Sequence, residues 1–178
     1  MGEAQKHPPV KLVVGMISGR TTLLDAAQRE LIAQFGPQDY ESAPMPWEFT
    51  DYYSRELGEN LWRKFLSFER LIDPERLAGI KLFTNQLEAN FSEGGARRIN
   101  LDPGYLDSAK LVLATTKNRD HRIYIGQGIF AEVTLHFRGK SFRAWEWTYP
   151  DYATPEYIAI FSEIRSLYRQ QMSSEGSI

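Results

Sequence analysis

Apolar residues in the first half of the chain alternate between strand-like runs and helix-like stripes. A continuous apolar run typical of a buried strand precedes a stripe at helical spacing, which Thr22 and Asp25 open as a capping-box pattern. A second helix is predicted to begin at Asp73-Pro74, because Asp caps helices and Pro suits their first position. The predicted elements are a strand at 11–17, a helix at 22–35, an extended arm at 40–50, a loop or short helix at 51–61, a strand at 65–71 and a helix from 74 to about 91.

In the second half the hydrophobic period changes to two, which indicates β-structure. Short strands are predicted at 98–101, 110–116, 122–125, 129–137 and 141–145, followed by a helix that opens at Thr154-Pro155. The first half therefore has the ferredoxin-like order βαββαβ. We expect an α+β fold with one mostly antiparallel sheet and helices on one face. Residues 10–172 are expected to form a single domain, with a disordered amino terminus at 1–9 and a disordered tail at 173–178.

The hairpin at 122–137 gives a prediction at the level of register. A three-residue loop, Gly126-Gln127-Gly128, would place Arg122 opposite Glu132. One face of the hairpin would then be core, and the other would be polar. The core face is predicted to carry Ile123, Ile125, Ile129, Ala131, Val133 and Leu135; the polar face carries Arg122, Tyr124, Phe130, Glu132, Thr134 and His136. The Arg–Glu pair is either a solvated cross-strand ion pair or part of a binding cleft.

A dense polar stretch, 114–122, lies just upstream of this hairpin. It combines hydroxyls and cations that suit phosphate or carboxylate recognition at a strand end. The residues proposed to hold an anion are Lys110, Thr115, Thr116, Lys117, His121 and Arg122. The alternative is a polar turn with no ligand, since turns favour Asn and Asp in any case.

Acidic residues beside aromatic residues form a third candidate feature. Asp102 begins an Asp-Pro-Gly sequence that predicts a turn, and Asp51 and Asp151 each lie next to tyrosines. If these residues converge with Glu132, they would form an acidic site compatible with Mg²⁺, with Asp102 and Glu132 as ligands. Closely spaced carboxylates would also permit acid–base catalysis, with His121 as a further participant. The alternative is that each acid caps a turn.

Composition excludes several classes of protein. The 178 residues contain no cysteine, which excludes disulfides, thiolate catalysis and cysteine-ligated metals. A net charge of −2 argues against a DNA-binding protein. The apolar runs are too short to span a membrane, and the polar first nine residues are not typical of a secretory signal. We therefore expect a cytoplasmic protein.

Several long blocks of the sequence resemble a known family. They include TDYY at 50–53, FLSFERLIDPERL at 65–77, NLDPGYL at 100–106, KLVLATTKN at 110–118, HRIYIGQGIFAEVTL at 121–135 and WTYPDY at 147–152. They resemble the prokaryotic domain-of-unknown-function family numbered forty-four sixteen, over about residues 9–152. Members are sometimes labelled GTP-binding proteins, although the phosphate loop G-x-x-x-x-G-K-[ST] is missing from this sequence.

Two functional hypotheses follow from the sequence. In the first, the chain is a ligand-binding or enzymatic domain for a phosphorylated or nucleotide-like small molecule. The residues proposed above to hold an anion bind its charged group, and Asp102, Glu132 and His121 are the candidate catalytic residues. Tyr105 or Trp147 stacks on the ligand. In the second, the chain is a non-catalytic interaction module, either a homodimer or a partner of another protein or RNA, which uses its aromatic segments at 47–53 and 145–152. RNA is the weaker version because the chain is acidic.

Overall fold

A computed structural model describes residues 2–49, 57 and 60–175 of the chain. Most of the loop or short helix expected at 51–61 lies outside these residues. The elements in chain order are β1 (Lys11–Ser18), α1 (Thr21–Phe35), β2 (Gln38–Glu41), β3 (Met45–Pro46), β4 (Trp62–Phe68), a 3₁₀ turn (Pro74–Arg76), α2 (Leu77–Asn90), β5 (Ile99–Leu106), β6 (Lys110–Thr115), β7 (Ile123–Gly126), β8 (Ile129–Arg138), β9 (Ser141–Ala144) and α3 (Pro155–Glu175).

The strands form one nine-stranded sheet in which the neighbouring strands are antiparallel. Its order is β2-β4-β1-β5-β6-β8-β7, with β3 beside β4 and β9 beside β8. Since β1 and β2 both run antiparallel to β4, they are parallel to each other with β4 between them, and β4 and β5 flank β1 in the same way. This arrangement is a pair of split βαβ units. The α+β class, the ferredoxin-like first half and the mostly antiparallel sheet are therefore confirmed.

Both faces of the sheet carry helices. Leu12, Val14 and Met16 of β1 are buried in the cluster formed with α1 and α2. Val13, which points to the opposite face because side chains alternate along a strand, is buried with Phe161 of α3. The expectation of helices on one face thus holds for α1 and α2, whereas α3 covers the other face. Each fully buried Phe or Leu side chain contributes about 1.5–3 kcal/mol through burial.

The first helix begins differently from the capping-box prediction. It starts at Thr21, so Thr22 lies inside its first turn, and no side chain caps its amino end. The backbone N–H of Arg20 instead donates to Ser18 Oγ, at 3.1 Å. The other end agrees with the sequence, because Gly36 has φ 92° and its N–H bonds to Ile32 O at 2.9 Å.

The Asp-Pro-Gly sequence is not a turn, so this prediction is wrong. Asp102, Pro103 and Gly104 lie inside β5, where they pair with Gly15, Val14 and Val13 of β1. Leu101 directs its N–H and C=O away from β1, toward the β6 side. Pro103 lies two residues after Leu101, so its backbone nitrogen points to the same side. Because β6 no longer pairs with β5 at that position, the absence of an N–H on Pro103 removes no hydrogen bond from the sheet.

The register of the hairpin between β7 and β8 is confirmed up to its loop. Ile123 pairs with Ala131, although a bulge brings Gly126 rather than Ile125 opposite Ile129. The predicted core face is wrong for β7, since Ile123 is 72% exposed and Ile125 37% exposed at the edge of the sheet. Its β8 members Ile129 and Leu135 are buried as predicted.

A bulge in β8 explains why that strand does not keep one buried face. Leu111 pairs with Leu135 but Val112 pairs with Val133, so Thr134 is an extra residue that shifts the alternation. Leu135 therefore joins the α3 cluster, while Val133 packs on the α2 side. Thr134, predicted on the polar face, is fully buried.

The carboxy-terminal helix α3 continues to Glu175, past Ser173, where the sequence predicted a disordered tail to begin. Among the residues that the structure describes, none belongs to a helix that is both long and apolar enough to cross a membrane.

Candidate functional site

The sheet splits where β5 and β6 separate. The two strands pair only at Gly104–Leu106 and Leu111–Leu113, and their remaining residues diverge. At Gly104 they approach so closely that an added Cβ would lie 2.3 Å from Val112 O. We call the opening beyond Gly104 the fork. A cavity of about 530 Å³ occupies it, which is a volume typical of small-molecule sites.

Several elements line the cavity. They are the strands β4, β5, β6 and β8, the helix α2, the segment that follows β3, and the segments around 117–122 and 149–152. The lining residues are Trp47, Phe49, Arg63, Lys81, Asn85, Arg97, Asn100, Asp102, Leu113, Ala114, Thr115, Thr116, Lys117, Arg119, Arg122, Glu132, Tyr149, Pro150, Asp151 and Tyr152. Six of them are Lys or Arg and three are Asp or Glu.

Side chains of α2 close the gap left by the missing strand pairing. Lys81 Nζ donates to Leu101 O at 2.8 Å, and Glu88 Oε1 accepts from Leu101 N at 2.6 Å. These groups replace the hydrogen bonds that β6 would otherwise make, which matters because an unpaired buried backbone group is costly. Lys81 and Glu88 are both buried, so the fork is lined on the α2 side by polar groups that are shielded from solvent.

A buried arginine organises one wall. Arg63 NH1 and NH2 lie 3.1 Å from Asp102 Oδ2 and 3.1 Å from Asp151 Oδ2 respectively. Asp151 Oδ2 also accepts from Trp47 Nε1, at 3.0 Å. Because Arg63 is 2% exposed, both carboxylates are needed to compensate its desolvated charge.

Aromatic rings surround the same guanidinium. The Arg63 carbon Cζ lies 5.3 Å from the Phe65 ring centroid and 5.5 Å from that of Tyr152. Gly15 leaves room beneath it, since a Cβ there would be 2.8 Å from Arg63 NH1. Burial raises the pKa of Tyr152 well above its ordinary value and that of Tyr157 to about 12, so both phenols are neutral. This wall is preorganised, with little freedom for Arg63 to move.

The opposite wall is built on the predicted Arg–Glu pair. Arg122 Nε lies 2.7 Å from Glu132 Oε2, and His121 Nε2 lies 3.2 Å from the same oxygen. Thr134 Oγ1 donates to Glu132 Oε1 at 3.2 Å, so the buried carboxylate is fully engaged. Burial tends to lower the pKa of Arg122, but the hydrogen bonds to Glu132 and Tyr149 outweigh it and raise the pKa. The pair is part of the cavity rather than a solvated ion pair.

A column of stacked rings supports this wall from outside the cavity. His121 stacks on Trp147 with centroids 5.4 Å apart, and Trp147 stacks on Trp145 at 5.1 Å. Trp147 Nε1 donates to Val133 O at 3.1 Å, which fixes the column to β8. Trp147 therefore holds His121 in place and does not itself line the cavity.

The corner of the fork near α2 contains a second polar network. Glu88 Oε2 lies 3.1 Å from Arg97 NH1, which also donates to Asn100 Oδ1 at 3.3 Å. Burial raises the pKa of Glu88, although Lys81 and Arg97 oppose this shift. Asn100 is 4% exposed, and its Nδ2 has no hydrogen-bond partner within the described part of the chain. A buried, unpaired amide donor is costly and is therefore an attractive contact for a bound acceptor.

Many of the residues predicted from sequence converge on this cavity. Those that line it are Asp102, Thr115, Thr116, Lys117, Arg122, Glu132 and Asp151. His121 reaches it through Glu132. Lys110 lies at the far end of β6, where it pairs with Asp107 at 2.7 Å. Tyr105 packs against the clusters beneath α2. The structure therefore separates Lys110, Tyr105 and Trp147 from the cavity lining. Asp51 lies outside the described residues.

Sequence reasoning missed several lining residues. Arg63 lies outside the predicted elements, and Lys81 and Asn100 lie in a predicted helix and a predicted strand; the sequence assigned no functional role to any of the three. A signal was available for two of them, because Arg63 follows the apolar pair Leu61-Trp62 and Lys81 interrupts the apolar run Ile80, Leu82 and Phe83.

The proposed acidic centre is not assembled from the described residues. Asp102 faces Arg63, while Glu132 faces Arg122. No group of three or more His, Cys, Asp or Glu side chains among residues 2–49, 57 and 60–175 is arranged to hold a metal ion.

The fold and the cavity define a class: an α+β domain with a ferredoxin-like half, a second antiparallel half and a cationic cavity where the two separate. A family model described as "Domain of unknown function (DUF4416)" matches residues 8–168, and the chain belongs to that family. No similar curated protein and no similar solved structure was found.

Proposed function

We propose that this protein binds a phosphorylated or nucleotide-like small molecule in the cavity at the fork. The observation that carries this proposal is the excess of cations in a concave site, with six Lys or Arg against three Asp or Glu side chains. Even when Glu88 beside Arg97 is counted, the cations remain in excess. Such a surplus in a partly buried site favours an anionic ligand.

The roles of the lining residues differ in accessibility. Lys117 and Arg119 are exposed at the rim, where they would attract an anion and contact its outer part. Arg63 and Arg122 are held by carboxylates and serve mainly to shape the walls. Thr115 and Thr116 lie at the end of β6 and offer hydroxyls to the same region.

We further propose that Glu132 and His121 form the reactive pair if the bound molecule is also transformed. They are 3.2 Å apart, and Glu132 is buried in the lining. A carboxylate that orients an imidazole is a common arrangement for moving protons. Asp102 is less buried, with 23% of its side chain exposed, and it would contact the ligand from the opposite wall.

Thermal unfolding with a panel of nucleotides and sugar phosphates tests the binding proposal. A ligand present at 100 times its Kd stabilises a protein by about 2.7 kcal/mol, which is readily measured as a rise in Tm. The double variant Lys117→Ala/Arg119→Ala should lose most of this rise. Arg138→Ala/Lys140→Ala removes the same charges from the exposed β8–β9 hairpin and should retain it. No stabilisation of the wild type by any member of the panel would refute the proposal.

The alternative function, a non-catalytic interaction module, is favoured by one observation. Ile123, Tyr124 and Ile125 of the edge strand β7 are all exposed, and large exposed apolar residues on an edge suit contact with a second copy or another protein. The aromatic segments proposed from sequence contribute less, because Trp47 and Tyr152 are buried. Sedimentation would separate the two ideas: a monomer at all concentrations argues against a homodimer through β7.

A further inference from the structure

The corner of the fork formed by Asn100, Lys81 and Arg97 differs from the rest of the cavity. Here the buried Asn100 has an amide donor without a partner among the described residues, and Lys81 bonds a backbone carbonyl, whereas the arginines of both walls are already paired with carboxylates. This corner was not part of the anion-holding set predicted from the sequence, which drew on residues 110–122.

The orientation of the Asn100 amide follows from its neighbour. Arg97 can only donate hydrogen bonds, so the oxygen of Asn100 must face Arg97 NH1, at 3.3 Å. Nδ2 is then directed away from Arg97. It is buried, it belongs to a residue that lines the cavity, and no described residue accepts a hydrogen bond from it. A ligand atom that pairs with Asn100 Nδ2 must therefore be a hydrogen-bond acceptor.

The local charge also favours an acceptor that is anionic. Lys81 and Arg97 bring two positive charges, and Glu88 brings one negative charge that is already shared between Leu101 N and Arg97. Lys81 Nζ uses one of its three protons on Leu101 O. The corner therefore has a surplus of positive charge and of donors. Asp102, the nearest acid on β5, is neutralised by Arg63.

We propose that this corner binds the terminal phosphoryl group of the ligand, with Asn100 Nδ2 and Lys81 Nζ donating to its oxygens and Arg97 supplying charge. The inference rests on the proposed function and deepens it by assigning the phosphoryl position. The remainder of the ligand extends to the rim, where Phe49 (42% exposed) and Tyr149 (49% exposed) offer rings to a planar group. The ligand class is thus an organic phosphate with an aromatic moiety, such as a nucleoside monophosphate.

Calorimetric titration of the full chain with adenosine monophosphate, adenosine and inorganic phosphate tests this assignment. Asn100→Asp is nearly isosteric, and it can still accept from Arg97, but it replaces the free donor by a negative charge. It should weaken the binding of adenosine monophosphate at least tenfold and leave that of adenosine unchanged. Asn90→Asp adds the same charge at the exposed end of α2, outside the cavity lining, and should bind like the wild type. Asn100→Ser, which keeps a small donor, should lie between the two.

The possible outcomes distinguish failure of the phosphoryl assignment from failure of the proposed ligand-binding function. Equal affinity of wild type and Asn100→Asp for adenosine monophosphate would overturn the phosphoryl assignment while leaving the proposed function intact. Failure of the wild type to bind either adenosine monophosphate or inorganic phosphate would overturn the phosphoryl assignment, and failure across the panel of nucleotides and sugar phosphates would overturn the proposed function as well. If Asn100→Asp weakens adenosine and adenosine monophosphate equally, the residue affects the cavity as a whole, and the assignment is again wrong. The circular dichroism spectrum and Tm of each variant confirm that it is folded.

Discussion

Substitution of Gly104 by Ala perturbs the point from which the fork opens. A Cβ at this position would lie 2.3 Å from Val112 O and 2.7 Å from Leu113 Cδ2. The leucine can rotate, but the carbonyl oxygen belongs to the backbone of the paired strand β6. Relief of the first contact to 3.0 Å requires the strands to separate by about 0.7 Å, at the only place where β5 and β6 pair among the described residues.

The cost follows from known effects of overpacking. Inserting a methyl group into a well-packed site costs about 1–3 kcal/mol, and the upper value applies here because a backbone atom must move. For a chain of 178 residues, about 3 kcal/mol lowers Tm by roughly 6–12 °C. Gly79 is the matched control, since it lies in α2 and an added Cβ meets nothing within 4 Å. Ala in place of Gly within a helix stabilises by about 0.5–1 kcal/mol.

Urea unfolding monitored by circular dichroism at equal protein concentrations measures both variants. Gly104→Ala should have a lower midpoint with an unchanged slope, while Gly79→Ala should have a slightly higher midpoint. If Gly104→Ala has a free energy of unfolding within about 0.5 kcal/mol of the wild type, the range of neutral surface substitutions, then the close approach at Gly104 does not hold the two strands together.

Two further predictions concern the buried wall around Arg63. Arg63→Met should reduce the free energy of unfolding by about 3–5 kcal/mol, because it leaves two carboxylates without their partner. Arg143→Met, at an exposed position of β9, should change it little, and equal effects of the two substitutions would refute the ion-pair account. The pKa of Tyr157, raised to about 12 by burial, means that the folded state keeps the proton while the unfolded chain loses it near pH 10. The unfolding free energy should therefore fall by up to about 2.7 kcal/mol from this group as pH rises from 10 to 12, and Tyr157→Phe should remove that part of the decline in alkaline denaturation curves.

The parts of the fold that the sequence predicted are those set by short-range patterns. The apolar stripe of α1, the helix-ending Gly36 and the register that brings Arg122 to Glu132 all depend on residues within about one element or one hairpin. The polar stretch after β6 lines the cavity, because residues such as Thr116 and Lys117 follow directly on a buried strand; its predicted role in anion recognition stays a prediction.

The parts that it missed depend on contacts between distant segments. Asp-Pro-Gly has the local chemistry of a turn, yet Gly104 is needed for close approach to β6 and Pro103 is tolerated because no strand faces its nitrogen. Lys81 looks like an ordinary helix residue until Leu101, twenty positions away, requires a donor. Ile123 has the pattern of a core residue, but its strand lies at the edge of the sheet.

The fork also divides the hydrogen bonding of the sheet into two parts. β5 pairs along its whole length with Lys11–Ser18 of β1, and β6 pairs with β8 along Lys110–Thr115. Between β5 and β6, only Gly104–Leu106 and Leu111–Leu113 pair. Local unfolding in proteins follows such weak boundaries. Native-state hydrogen exchange should therefore show β6–β9 opening at a lower free energy than β1, β4 and β5. A ligand that bridges the fork would couple the two parts and bring their exchange rates together.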